Sequence, residues 1–374
     1  MPPARSTAAS ALMRILGVET SCDETAFAIV EDGVRVRASV IASQDELHTK
    51  YGGVVPEIAS RAHVERLIPT LRAACAEADV GLEAVDAVAV GNRPGLIGSL
   101  LVGVPAAKAI AWALDVPIVG VDHIHAHLYA PALDAETIDY PALGLVISGG
   151  HTTLFHCDSP IDLQAIGATI DDAVGEAYDK VATMLGLAYP GGPKLDALAQ
   201  RGDAGAHAFP VSQLNDAPLD FSYSGLKTAC LYAIKGTPVR DRETRKTHFS
   251  RDAGDLTGKE RADIAASFQR AAVAQLVNRV ERALTGNSAP CRDGCASGPS
   301  NDHRSLIIGG GVSANSFVRS EFARVATARN IPLRLASMRH CTDNAAMIAG
   351  LAFHKLRAGR TDDLSLTAAP TSRA

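Results

Sequence analysis

The feature that most constrains this chain is a restart. The run L-G-V-E-T-S-C-D-E-T-A-F-A-I-V at 16–30 sits over L-G-L-V-I-S-G-G-H-T-T-L-F-H-C at 143–157. Each is an apolar run, a polar turn containing Ser or Thr, and a second apolar run. A third predicted strand follows each pair. A lobe of the order β-β-β-α-β-α, used twice, predicts an α/β fold of two related halves with a ligand cleft between them.

The alternation of apolar runs with helical spacing continues along both halves. The first half has predicted strands at 14–19, 26–31, 34–42, 84–90 and 117–121. It has predicted helices at 56–78 and 98–114, and a helix opening at His123. The second half has predicted strands at 142–148, 152–156, 163–168, 305–308 and 331–336. Its predicted helices lie at 173–185, 194–201, 226–234, 261–284, 314–329 and 344–356. The domain reading is then a first lobe at 13–128 and a second at 129–342. The last helix, about 343–358, is expected to return to the first lobe. Residues 1–12 read as a disordered tail or as an over-extended start ahead of Met13. Residues 359–374 read as a flexible tail, and 286–304 as a turn-rich insertion.

With 374 residues, 47% hydrophobic and 21% charged, the chain can fill two packed units. A net charge of −5 does not mark a nucleic-acid binder, although one basic patch suffices for that role. The stretch 236–258 offers Arg240, Arg242, Arg245, Lys246 and Arg251, interleaved with acids. Seven scattered cysteines suggest no disulfide framework, so a reducing cytoplasm is expected. The apolar stretch 100–114 is interrupted by Pro105 and Lys108 and is too short to span a bilayer, so no membrane partner is expected.

The chemistry centres on V-D-H-I-H-A-H. His123 and His127 are four apart, on one helix face, and can hold one cation. Asp343, in C-T-D-N-A-A-M-I-A, is the candidate third ligand. Such a set leaves coordination positions open and suits zinc or ferrous iron. His125 cannot share that face. A metalloprotease would need H-E-x-x-H, and Ile124 stands where its general base belongs. Three glycine turns can present backbone N–H groups to an anion: S-G-G-H-T (148–152), Y-P-G-G-P (189–193) and G-G-G-V-S-A-N (309–315). Asp23 and Glu24 follow the first strand, and Asp179 and Asp196 flank the Y-P-G-G-P turn. Each is able to bind hydroxyls or accept a proton. Cys291, Cys295 and His303 form an incomplete zinc-knuckle pattern.

Taken in order, E-T-S-C-D-E-T, P-E-I-A-S-R-A-H, P-G-L-I-G-S-L-L-V-G, H-I-H-A-H, S-G-G-H-T, D-D-A-V-G-E-A-Y-D-K, Y-P-G-G-P, F-S-Y-S-G-L-K-T, G-G-G-V-S-A-N and C-T-D-N-A-A-M-I-A span residues 19–349. This set resembles the TsaD family of tRNA N6-adenosine threonylcarbamoyltransferases, formerly called glycoproteases or O-sialoglycoprotein endopeptidases. The resemblance implies an actin/Hsp70/sugar-kinase-like (ASKHA) fold. It implies transfer of a threonylcarbamoyl group from threonylcarbamoyl-AMP to N6 of the adenosine beside the anticodon, in tRNAs reading codons that begin with adenine. It implies one divalent metal per subunit on His123, His127 and Asp343, ferrous iron first and zinc second. The adenylate would meet Val146, Ile147, Ser148, Gly149, Gly150, Asp179, Gly192, Asp196 and Asn315. Asp23 and Glu24 match family acids implicated in activity. Implied partners are tRNA, a paralogous ASKHA-fold protein and a small P-loop ATPase. The family often has Glu where this chain has His125. The rival readings are an ATP-dependent phosphotransferase of the same fold and, disfavoured, a metalloprotease.

Overall fold

The computed structural model describes residues 12–134, 137–240, 247–286 and 302–372. In chain order the first elements are β1 (Arg14–Glu19), β2 (Glu24–Glu31), β3 (Arg35–Ser43), α1 (Asp45–Thr49), α2 (Pro56–Ala78), β4 (Ala87–Arg93), α3 (Ile97–Leu114), β5 (Ile118–Asp122) and α4 (His123–Tyr129). Then follow β6 (Ala142–Ile147), β7 (Thr152–Ser159), β8 (Asp162–Ala168), α5 (Val174–Met184), α6 (Gly191–Ala199) and α7 (Ser224–Lys235). The chain ends with β9 (Val239–Arg240), β10 (Thr247–His248), α8 (Gly258–Leu284), β11 (Ser305–Gly309), α9 (Ser316–Arg329), β12 (Leu333–Leu335), α10 (Met338–Cys341) and α11 (Ala345–Arg357).

The restart is a repeat of topology. One five-stranded sheet runs β3-β2-β1-β4-β5 and the other, read in the same sense, β8-β7-β6-β11-β12. β1 pairs antiparallel with β2 and parallel with β4; β6 pairs antiparallel with β7 and parallel with β11. Among the described residues, one compact unit takes the chain up to Ala42, then Ser60–Ala126 and Asn344–Ser372. The other takes Ser43–Ala59 and His127–Asp343. Residues 43–59 thus fall with the second unit, where the sequence reading kept them in the first lobe.

The two units have separate cores, and the central strands are apolar throughout because both faces of each sheet are covered. Leu16, Val18, Phe27, Ile29, Val88 and Val90 pack with Leu67, Leu71, Val104 and Ala107 in the first. Leu143, Leu145, Ile147, Leu306 and Ile308 pack with Tyr178, Phe221, Phe268 and Phe322 in the second. In the first unit α11 lies so close to β1 that any side chain at Gly17 would run into the Ala345 carbonyl.

α3 matches the helix expected at 98–114 and runs through Pro105, whose position faces outward while Leu100, Val104, Ala107 and Ala111 are buried. Some expectations change. α3 is the one helix, among the described residues, long and apolar enough by composition to cross a bilayer. The glycines of 309–311 do not feed a helix directly. Residues Gly311–Ala314 form a 3-10 turn, and the helix begins at Ser316 with Asn315 as its cap. The tail after 358 does not trail free up to residue 372. Asp362 bridges to Ile118, Leu366 is buried, and Ala369 N donates to Asn92 O at 2.9 Å. Its polar backbone finds partners on the edge of β5 and at Asn92, which a composition-based reading does not register. Residues 1–11 and 287–301, with the tail and most of the insertion read from sequence, lie outside the described residues, as do Cys291 and Cys295.

Candidate active site and metal centre

The first unit places its acids on the turn between β1 and β2. Glu19, the last residue of β1, is fully buried and accepts from Ser21 N at 2.6 Å. Asp23 is 6% exposed, and its carboxylate has no hydrogen-bond partner among the described residues. Glu24 is half-buried at the start of β2. Beneath the turn lies His63 of α2, fully buried. One ring nitrogen, Nδ1, is 2.8 Å from Thr25 Oγ1, and Nε2 is 3.0 Å from the Cys22 carbonyl. A carbonyl only accepts, so Nε2 carries the proton and Nδ1 accepts from the threonine. Burial lowers the His63 pKa, against the hydrogen bond His63 donates to the Cys22 carbonyl and the charges of Glu19 and Asp23. His63 is therefore a neutral strut under the acidic turn.

The same turn reaches the first histidine of the motif. His123 Nδ1 is 3.2 Å from Glu19 Oε2 and 3.2 Å from Ser21 Oγ. A carboxylate that holds one nitrogen of an imidazole while the other ligates is the usual support of a metal histidine. Gly91 belongs to this support, because a side chain there would collide with the Glu19 carboxylate. Asp122 caps α4 by accepting from Ile124 N at 2.9 Å, which fixes where the helix and its histidines begin. His125 points elsewhere. It is half-buried near Asp122, Lys355 and Arg93, and burial lowers its pKa.

His127, one turn after His123 on α4, is fully buried, and its Nε2 lies 3.1 Å from Asp343 Oδ1. His123, His127 and Asp343 each offer one donor atom within 4.8 Å of the others. Two imidazole nitrogens and a carboxylate oxygen grouped in this way could hold a metal ion. Gly309 at the end of β11 permits the arrangement, since a side chain would strike the His127 carbonyl. Gly310, at φ +92, would likewise strike the Ile147 carbonyl.

The second unit assembles the remaining candidates. Val146 and Ile147 have fully buried side chains, so only the backbone that follows them can meet a ligand. Ser148 is tied on three sides: Ser148 N donates to His151 O at 2.8 Å, His151 N to Ser148 Oγ at 3.1 Å, and Gly175 N to Ser148 O at 3.2 Å. Gly149 and Gly150 are exposed, and a Cβ on either would meet nothing within 4 Å. Their lack of a side chain is thus not required by packing.

Asp179 of α5 occupies the Y-P-G-G-P turn. Its Oδ1 accepts from Gly191 N at 2.9 Å and Gly192 N at 3.2 Å. These amides, read from sequence as a phosphate cradle, already hold a carboxylate. Burial raises the Asp179 pKa, and the two glycine amides only partly offset it. Asp196 of α6 accepts from Gln269 Nε2, Ser316 N and Ser316 Oγ, each at 3.1 Å. Asn315 Nδ2 donates to Gln269 Oε1 at 3.0 Å, while its own Oδ1 caps α9. α6, α8 and α9 are thereby locked to one another around Asp196 and Asn315.

Sequence reasoning missed Glu19, His63, Gln269 and Ser316. Gln269 carried a signal, as an amide within the buried stripe of α8. His63 lay inside a quoted motif, but its partner Thr25 is 38 residues away and no local pattern connects the two.

Two α/β units with the same five-stranded sheet order define an ASKHA-fold protein. A crystal structure of HypF from T. kodakarensis matches 93% of this chain and 48% of its own at TM-score 0.57 and 15% identity, a likeness of fold alone. The family model for tRNA N6-adenosine threonylcarbamoyltransferase matches residues 35–350. A relative of that name from Symbiobacterium thermophilum is 45% identical over 356 residues, 95% of each chain. Another, from Rhodopirellula baltica, is 44% identical over 366 residues, 97% of this chain and 98% of its own. This chain belongs to the tRNA N6-adenosine threonylcarbamoyltransferase family.

Proposed function

We propose that this enzyme transfers the threonylcarbamoyl group of threonylcarbamoyl-AMP to N6 of the adenosine beside the anticodon, in tRNAs that read codons beginning with adenine. The observation that carries the reading is identity of about 45% along nearly the whole chain to a relative named for this activity. A phosphotransferase of the same fold and a metalloprotease are not favoured by that match.

In the reaction, N6 attacks the carbamoyl carbon. A C–N bond forms, the C–O bond to phosphate breaks, and AMP leaves with the electron pair. The amine must lose a proton. Asp23 is our choice of acceptor, because its carboxylate lies on the turn after β1 and is not engaged in a hydrogen bond among the described residues. His63 and Ser21 fix the turn that carries it. Glu24, beside it, is placed to orient the substrate. The Ser148–Gly150 backbone would receive the donor's charged oxygens. Asp179, Gly192, Asp196 and Asn315 would position its nucleoside. A divalent cation on His123, His127 and Asp343, ferrous iron in our reading and zinc as the alternative, supplies Lewis-acid polarisation when bound.

For partners, α2 and α3 expose apolar residues in the first unit: Val64, Ile68, Ile97, Leu101 and Trp112, the last 75% exposed. Such a surface supports docking of the paralogous subunit by its own helices. The P-loop ATPase is proposed from the resemblance alone. For tRNA, the basic stretch around Arg240–Arg251 is the candidate, and its residues 241–246 lie outside the described ones. A tRNA substrate and five free thiols among the described residues support a cytoplasmic location.

The test is nucleoside analysis by mass spectrometry after incubating the chain and its partners with unmodified tRNA, threonine, bicarbonate, ATP and a donor-forming enzyme. Threonylcarbamoyladenosine that depends on this chain and is lost with His123→Ala is expected. ATP consumed on a small molecule while the tRNA stays unmodified would overturn the reading.

A further inference from the structure

Away from these residues, the second unit holds a polar cavity of about 280 Å³ between the last turns of α8 and the segment 213–215. Its lining includes Gln213, Asn215, Asn278, Arg279, Glu281 and Arg282. Arg279 is only 4% exposed. Its Nε donates to Asp220 O at 2.9 Å and one Nη2 hydrogen to Ser212 O at 2.8 Å. A guanidinium has five N–H donors. The other three have no acceptor among the described residues. Arg282 stands beside it and reaches the Pro218 carbonyl only at 3.5 Å.

Neither guanidinium has a carboxylate within ion-pairing distance among the described residues. Glu281 also lines the cavity, and neither arginine forms an ion pair with it; its charge adds a minor contribution at Arg324, after that of Glu321. Burial, and then the like charge of Arg282, lower the Arg279 pKa, and the more distant charge of Asp220 opposes them. Holding residues 212–220 against α8 accounts for two of the Arg279 donors. It does not account for the other three, for the second arginine, or for three side-chain amides around the same opening.

We propose that this cavity is a binding site for a phosphate group, gripped by the free edge of Arg279 and by Arg282, with Asn215, Asn278 and Gln213 as neutral donors. The phosphate is either a free small anion or one phosphodiester of an RNA chain. The site shares no residue with the proposed transfer chemistry, so it stands or falls independently of that reading.

Inorganic phosphate is titrated onto the full chain by calorimetry at constant ionic strength, and binding of an unmodified tRNA transcript is measured against salt. The variants are Arg282→Gln and Asn278→Asp, both at exposed positions that leave the Arg279 contacts intact. Each variant should keep the wild-type melting temperature and weaken one component of phosphate binding about tenfold. If tRNA affinity also drops and the log–log salt slope falls by about one for Arg282→Gln, the phosphate belongs to RNA. If tRNA binding is unchanged while phosphate binding weakens, the ligand is a small anion. Folded variants that bind both phosphate and tRNA as the wild type does would overturn the proposal.

Discussion

The two sheets have the same strand order, yet the turn after the first strand differs in kind. After β1 the chain reads T-S-C-D-E-T, and after β6 it reads S-G-G-H-T. The first turn is packed and braced: His63 supports it from below, and Glu19 ties it to His123. The second is braced at Ser148 and at Thr152, whose Oγ1 accepts from Val174 N, and between them it leaves two exposed glycines with open space around them. One scaffold position therefore carries a carboxylate in one unit and bare backbone amides in the other. The strand order is repeated, and the two units differ at this turn; under the proposed function the first turn would take the proton and the second would meet the donor's charged oxygens.

The largest effect that would break this comparison comes from Asp23→Asn. It should lower single-turnover transfer by roughly 10²- to 10⁴-fold with no change in melting temperature. A variant with near-normal turnover would remove Asp23 from proton transfer. Next come the glycines. Gly150→Val should fold normally but raise the KM for the adenylate about tenfold, because its side chain would fill the ligand's space rather than the core. Gly310→Ala should do the reverse and cost stability, on the order of 1–3 kcal/mol, since a Cβ there meets the Ile147 carbonyl at positive φ. Chemical denaturation and donor titration on both variants check the pair, and equal stability losses would erase the distinction.

His63→Ala should reduce kcat several-fold with KM little changed, and His63→Asn should recover part of it. Both variants losing activity only in proportion to lost folded protein would mark His63 as packing alone. The smallest effect is on pH-dependent stability. Burial raises the folded pKa of Asp179 above its unfolded value, so its protonated form is favoured in the fold. Its stabilising contribution is complete below the ordinary aspartate range, near pH 3.9, and is lost as pH rises through the raised folded value. Asp179→Asn keeps an oxygen acceptor for Gly191 and Gly192 but cannot ionise. Its stability relative to wild type should therefore rise with pH across that acid window, as read by denaturant midpoints. A flat or falling difference would contradict the assignment.

Much of the fold was legible because buried central strands leave unmistakable apolar runs. α2 spans Pro56–Ala78 as predicted, and the strand pairs at 14–31 and 142–159 match within a few residues. Boundaries slipped where a tight turn intervenes. The strand expected from Ala84 begins at Ala87, after a 3-10 turn at Leu82–Ala84, and the helix expected from Ala314 begins at Ser316, after a 3-10 turn at Gly311–Ala314. Residues 359–372 were misread because they hold their place by backbone hydrogen bonds to Ile118 and Asn92 and by one buried side chain, Leu366, too few apolar positions to make a periodic pattern. At the site, the spacing of His123 and His127 was readable because helical periodicity is local. Glu19 beside His123 and Gln269 between Asp196 and Asn315 were not, since those contacts join residues that only the folded topology brings together.

The most direct test of the division of labour is a rapid-quench single-turnover experiment with preformed threonylcarbamoyl-AMP and saturating tRNA. Wild type, Asp23→Asn and Gly150→Val are compared over a range of donor concentrations. The account predicts that Asp23→Asn loses the maximal rate while half-saturation by donor stays near the wild-type value. It predicts that Gly150→Val keeps the maximal rate and shifts half-saturation upward. If both variants, fully folded, changed the same parameter to the same extent, the two turns would not have separate roles.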